Sequence, residues 1–282
     1  MENGIKRDIR LVGLDLDGTV FTDEKTITPA TRDAIARAVR AGVAVLPVTG
    51  RPRSGLPEEV LAIPGVRYAI TSNGAMCEDL AEDKVLVRLA MDEETAMRAL
   101  RIAEKYDVVI DIYIDGQAYT AADSMRLVQT HVPESFRPYF LKTRRLVEDR
   151  GRFLRQTGRG AEKFTILFQD MAQRAAAWKE FEHTGLFELS GGIPENIEVN
   201  AKGVDKGRAL LALAERLGLS RGQTMACGDA SNDLAMLRAA GLGVAMGNAT
   251  PEAVAAADVQ TDTNNNDGVA KAIRRWVLCE EV

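Results

Sequence analysis

Short, largely apolar runs alternate with longer amphipathic stretches at both ends of the chain. Residues 9–16 (IRLVGLDL), 43–48 (VAVLPV) and 66–71 (VRYAIT) are short and continuous, so they read as buried strands rather than helices. Between the first two, Thr28 and Pro29 open a helix, Thr as N-cap and Pro in the first turn. Its apolar face carries Ile35, Ala38 and Val39, and Gly42 ends it. The same grammar returns late in the chain. A helix over 206–217 is closed by Gly218, then follow a strand at 224–227, a helix at 231–240, a strand at 242–246, a helix at 251–257 and a strand at 258–261. This alternation predicts an α/β core with a parallel sheet and right-handed crossovers. Ligands of such sheets bind beyond the carboxyl ends of the strands. The polar clusters Asp15/Asp17, Thr49, Asn73 and Asp229 all fall at those ends.

The middle of the chain breaks the rhythm. Strands are expected at 84–90, 108–114, 117–120 and 163–168, and helices at 92–105, 123–130 and 170–183. The Arg- and Pro-rich segment 131–160 yields no assignable element. This block reads as an antiparallel sheet with helices on one face. The expected division is a core of residues 1–82 and 190–282 with an inserted domain over 83–189.

Composition narrows the partners. The 282 residues are 46% hydrophobic and 27% charged, with a formal net charge of −5. That is the profile of a globular protein without the basic footprint of a nucleic-acid binder. An anionic substrate therefore needs local help from Lys, Arg or a metal. The three cysteines are widely spaced and form no CxxC, which argues against a disulfide framework or a thiolate zinc site. Cys77 and Cys227 read as small core residues. The opening MENGIKRDIR has no apolar signal region, and no run approaches the ~18 apolar residues of a membrane span. A cytoplasmic protein without membrane contact is expected. Only His131 and His183 are present, so chemistry built on several histidines is excluded.

Four stretches carry candidate chemistry. In D-x-D-G-T, Asp15 and Asp17 leave a strand end together, and Gly18 permits a turn that aims backbone N–H groups at an anion. One carboxylate can ligate Mg²⁺ and attack phosphorus, while the other handles protons. Thr49 and Gly50 in V-T-G-R-P offer a hydroxyl and an amide to phosphate. Lys206 opens a helix, where a cation opposes the dipole unless it reaches an anion. In G-D-A-S-N-D, Asp229 stands as a metal ligand, Ser231 or Asn232 as a helix cap, and Asp233 in the first turn.

In this order the four pieces resemble the haloacid dehalogenase-like (HAD) hydrolase superfamily. T-S-N-G-A at 71–75, G-D-A-S-N-D-L-A-M-L at 228–237, G-V-A-M-G-N-A at 243–249 and N-N-N-D-G-V-A at 264–270 are similar to its Cof-type, subclass IIB branch. The resemblance implies a Rossmann-like parallel-sheet core domain with an inserted α+β cap domain that governs specificity. It implies that Asp15 is the nucleophile, forming an aspartyl-phosphate, and Asp17 the general acid and then base. It implies Mg²⁺ held by Asp15, the Asp17 backbone carbonyl and Asp229. The phosphate is then held by Thr49, Gly50, Lys206, Asn232 and the Leu16 backbone. Asp233 orients Lys206 or metal-bound water, and Asn73 orders the site beside the cap. The expected activity is Mg²⁺-dependent hydrolysis of small phosphate esters, sugar phosphates foremost. A phosphotransferase or sugar phosphomutase, and a phospho-Asp sensing module, are the alternatives. The sequence does not set the oligomeric state, monomer or dimer. Arg51 is read as a surface arginine, with lining of the cap interface as the alternative; the run Lys142-Thr143-Arg144-Arg145 as a solvated face, with steering of anionic substrates as the alternative; and Asp115-Gly116 as a hairpin turn.

Overall fold

The computed structural model describes residues 8–280. Most of the opening stretch read above as lacking a signal region, and the extreme ends of the expected core, lie outside them. Five strands form a wholly parallel sheet in the order Val259–Gln260, Leu242–Ala245, Thr224–Gly228, Leu11–Leu14, Ala44–Pro47. Tyr68–Thr71 continues it through a single parallel bridge between Val48 and Ile70. The strand Leu11–Leu14, paired on both sides, is buried throughout. One apolar cluster packs it against the helices Pro29–Arg40 and Gly268–Trp276, another against Lys206–Arg216. Burial on both faces is why these strands read as continuous apolar runs. Thr28 caps its helix as expected, accepting from the Thr31 amide.

A second, six-stranded sheet is antiparallel except for its last pair. Its order is Phe187–Ser190, Asn196–Ala201, Lys163–Phe168, Val108–Ile114, Gln117–Ala121, Arg145–Val147. Glu93–Ala103 and Met171–His183 contribute to the apolar cluster that backs it. The unassigned segment 131–160 contains two helices, Arg137–Thr143 and Arg150–Thr157, and the short edge strand between them.

The sheets depart from the expected division at both junctions. Lys84–Arg88 pairs with Met76–Asp79, which pairs with Tyr68–Thr71, so this strand extends a hairpin of the first region. Asn196–Ala201 pairs with Lys163–Phe168, so the second sheet runs to Ala201 and past residue 190. The second departure has a physical cause. Asn196, Glu198 and Asn200 share one strand face and are all buried. A polar alternation normally marks a solvent face, but here that face closes against the first region.

Candidate active site

At the end of Leu11–Leu14 the Asp15 amide still bonds the Cys227 carbonyl, at 3.0 Å. The chain then turns back, with Phe21 N donating to Leu16 O at 2.9 Å. Gly18 has φ +81°, and a Cβ there would lie 2.3 Å from Oδ2 of Asp229. The turn thus needs glycine for its backbone and for the carboxylate beside it. Leu16 is buried beneath the turn.

Lys206 joins the two halves of the site. Its ammonium is fully buried and donates to Asp15 Oδ1 at 2.6 Å and to Asp233 Oδ1 at 2.7 Å. Burial alone would depress its pKa, but the two carboxylates outweigh it and hold the lysine above its ordinary value. Asp233 Oδ2 accepts from the amides of Asp229 and Ala230 at 2.9 and 3.1 Å. Asp233 therefore orients both the lysine and the Asp229 loop. Neither Ser231 nor Asn232 caps the helix as expected; Ser231 donates to the Gly191 carbonyl at 2.6 Å across to the other sheet's connection.

Carboxylate oxygens of Asp15, Asp229 and Asp233 lie within 4.8 Å of one another. Burial drives Asp15 well above its usual range, only partly opposed by Lys206. Burial, then the Asp233 charge, pushes Asp229 up to about 7. Such a cluster gains from a cation. Lys206 takes Oδ1 of Asp15 and Thr19 takes Oδ1 of Asp229 at 3.0 Å, so each keeps a second oxygen. An all-oxygen donor set of this kind fits Mg²⁺.

Asp17 points elsewhere. Arg51 grips both its oxygens at 2.8 Å, and Lys25 adds a third contact at 3.0 Å. Burial raises its pKa, but the Arg51 hydrogen bonds and charge, with Lys25, bring it down to about 2. Arg51 thus follows the alternative reading, at the interface with the second region, and not the surface one. Its side chain is 12% exposed, and its guanidinium lies 4.3 Å from the Tyr139 ring centroid. The Lys142–Arg145 run also needs correction at one position. Arg144 is buried, donates to Asp111 at 2.8 Å and packs on Phe136, Tyr139 and Phe140. It lies where a helix meets a strand, so the run does not share one face.

Thr49 is buried, its oxygen accepting from the Arg51 amide at 3.2 Å. Ser72, Asn73 and Gly74 all have positive φ, at 52°, 58° and 101°. Left-handed backbone at a buried serine and asparagine costs about 1–2 kcal/mol each. This turn lets Asn73 Nδ2 donate to Glu198 Oε2 at 2.8 Å. Asn232 Nδ2 donates to Asn73 Oδ1 at 3.4 Å. Asp15, Asp17, Thr49, Gly50 and Asn232 line one cavity of about 140 Å³. The second sheet and its connections contribute Tyr113, Tyr139, Lys163 and Glu198 to the same cavity. Lys163 and Glu198 escaped the sequence reading. For Lys163 the signal is a charge at the head of the mostly apolar run KFTILF; Glu198 lies in the polar alternation NIEVNA, which offers none.

The chain is similar to known proteins in sequence and fold. A 5-amino-6-(5-phospho-D-ribitylamino)uracil phosphatase of Bacillus subtilis strain 168 is 34% identical over 275 residues, 96% of this chain and 97% of that protein. A solved haloacid dehalogenase-like hydrolase from B. subtilis superposes with a TM-score of 0.84 at 26% identity, covering 94% of this chain and 99% of its own. A subclass IIB sugar phosphatase superposes at 0.81 with 24% identity, covering 94% and 98%, and shares the fold. The family model for haloacid dehalogenase-like hydrolases matches residues 12–273. Asp15, Lys206 and Asp229 thus meet in a chain that belongs to the haloacid dehalogenase-like hydrolase family.

Proposed function

We propose that this protein is a Mg²⁺-dependent phosphatase of small phosphorylated metabolites, acting through an aspartyl-phosphate on Asp15. The observation that carries this reading is the buried Lys206 between Asp15 and Asp233, with Asp229 alongside. A buried cation next to a carboxylate nucleophile is where a dianionic phosphoryl group can be neutralised. Asp15 and Asp229, with the Asp17 backbone carbonyl, would hold Mg²⁺, which when bound adds positive charge to the phosphoryl oxygens. Lys206, Thr49, Gly50, Asn232 and the Leu16 backbone would hold the phosphoryl group.

Asp17 would protonate the leaving oxygen and then take a proton from water. Its grip by Arg51 and Lys25 keeps it ionised, the form suited to the base step. The acid step requires release from Arg51, whose guanidinium rests against Tyr139 of the covering region. That region is the inserted cap of this reading, with its limits moved to follow the sheets. A cavity of about 140 Å³ suits a small leaving group and leaves no space for a folded protein substrate. Sugar phosphates remain the first class to assay.

The test is hydrolysis of p-nitrophenyl phosphate and a panel of metabolite phosphates with and without Mg²⁺. Activity should require the metal and vanish in Asp15→Asn. Asp17→Asn should lose about 10²–10⁴ in kcat while still binding phosphate. Dependence on a bisphosphate activator would indicate a mutase, and a stable phospho-Asp15 without turnover a sensing module.

A further inference from the structure

Two buried charges on the second sheet have no part in the chemistry above. Lys163 is 1% exposed and Glu198 5%, on neighbouring antiparallel strands. They form an ion pair, and each also reaches into the first region. Lys163 Nζ donates to the Gly50 carbonyl at 2.6 Å. Glu198 Oε2 accepts from Asn73 Nδ2 at 2.8 Å, and Asn73 Oδ1 accepts from Asn232 Nδ2 at 3.4 Å. The path Gly50–Lys163–Glu198–Asn73–Asn232 therefore connects two residues proposed to hold phosphate, which sit on different loops of the parallel sheet.

The contact is tight at its start. A Cβ on Gly50 would lie 3.0 Å from Asn73 Oδ1, 3.2 Å from Glu198 Oε1 and 3.3 Å from Lys163 Nζ. The lysine is already committed to protein groups. An ammonium has three donors. One goes to Gly50 and one to Glu198, and Nζ lies 4.7 Å from the Tyr113 ring centroid. With two of its three donors on protein groups, Lys163 is suited to holding those groups in place.

We propose that the Lys163–Glu198 pair is a positioning element that sets the spacing of Gly50 and Asn232, so that phosphate binds well only when the second sheet is seated. This rests on the phosphatase reading above. The dependence runs both ways: phosphate in the site tightens the seating by the same factor that seating tightens phosphate. The seam contains a reporter, since Ser54 N donates to the Gly116 carbonyl at 2.9 Å between the two regions.

The experiment measures competitive inhibition by inorganic phosphate, with p-nitrophenyl phosphate as substrate, and exchange of the Ser54 amide with and without phosphate. Lys163→Met alone leaves Glu198 buried and unpaired and can unfold the protein. The decisive variant is the apolar pair Lys163→Met/Glu198→Leu, because replacing a buried ion pair by apolar groups is often neutral or stabilising. Glu198→Gln, which keeps the shape, is the second variant. The double variant should fold, weaken phosphate inhibition by about 10- to 100-fold and leave the Mg²⁺ activation constant unchanged; Glu198→Gln, which can still accept from Lys163, should weaken inhibition in the same direction at some cost in stability. Phosphate should slow Ser54 exchange in the wild type and not in the double variant. A folded double variant with wild-type phosphate inhibition overturns the proposal, as does phosphate protection of Ser54 that survives it. Hydrolysis without any phosphate inhibition in the wild type also overturns the proposal, whereas a wild type that does not hydrolyse p-nitrophenyl phosphate overturns the phosphatase reading instead.

Discussion

The carboxylate cluster makes metal-free stability depend on pH in an unusual direction. Asp229 has its folded pKa at about 7, above the ordinary 3.8. Its stabilising contribution is fully present below about pH 4 and is lost as pH rises through 7. Asp15 is raised in the same sense and adds to the fall. For Asp229 the shift corresponds to at most about 4 kcal/mol, taking 1.36 kcal/mol per unit. In a chain of this size that is roughly ten degrees of melting temperature. The protein in EDTA should therefore melt higher at pH 5 than at pH 8. Mg²⁺ should restore the loss at pH 8 and do little at pH 5, where protons compete for the same oxygens. Thermal unfolding across pH, in EDTA and in Mg²⁺, reads both effects, and Asp229→Asn should flatten the metal-free curve. A metal-free profile that is already flat, or equal Mg²⁺ stabilisation at both pH values, would refute the reasoning.

Gly18→Ala should cost about 1–2 kcal/mol from its left-handed backbone. It should also raise the Mg²⁺ concentration needed for activity, because its Cβ displaces Asp229; an unchanged metal activation curve would count against Asp229 as a ligand. Arg144→Met leaves Asp111 buried without its cation and should destabilise by about 3–5 kcal/mol at pH 8. The loss should shrink at pH 5 as Asp111 takes a proton, and urea titrations at the two pH values check it.

The residues legible in the sequence are those whose neighbours along the chain carry the signal. Asp15 and Asp17 end an apolar run before a glycine, Asp229 follows another, and Lys206 violates the helix-dipole preference at its own position. What stayed hidden depends on partners far away in the chain. Nothing around Arg51 announces Asp17 or the Tyr139 ring. The strand Asn196–Ala201 was unreadable because its inward face is polar. Lys163 could have been marked as a charge heading a mostly apolar strand, but only the fold shows that it meets Glu198 over Gly50.

The junction after that strand has a mechanical meaning. Asn196–Ala201 ends the second sheet, and the helix led by Lys206 begins after only Lys202–Asp205. Asp205 caps that helix by accepting from the Arg208 amide at 2.8 Å, which fixes the far end of the connector. So short a tether has little slack. A displacement of the second sheet would therefore act directly on the element carrying the buried ammonium, and the charge proposed to grip phosphate would feel where that sheet sits.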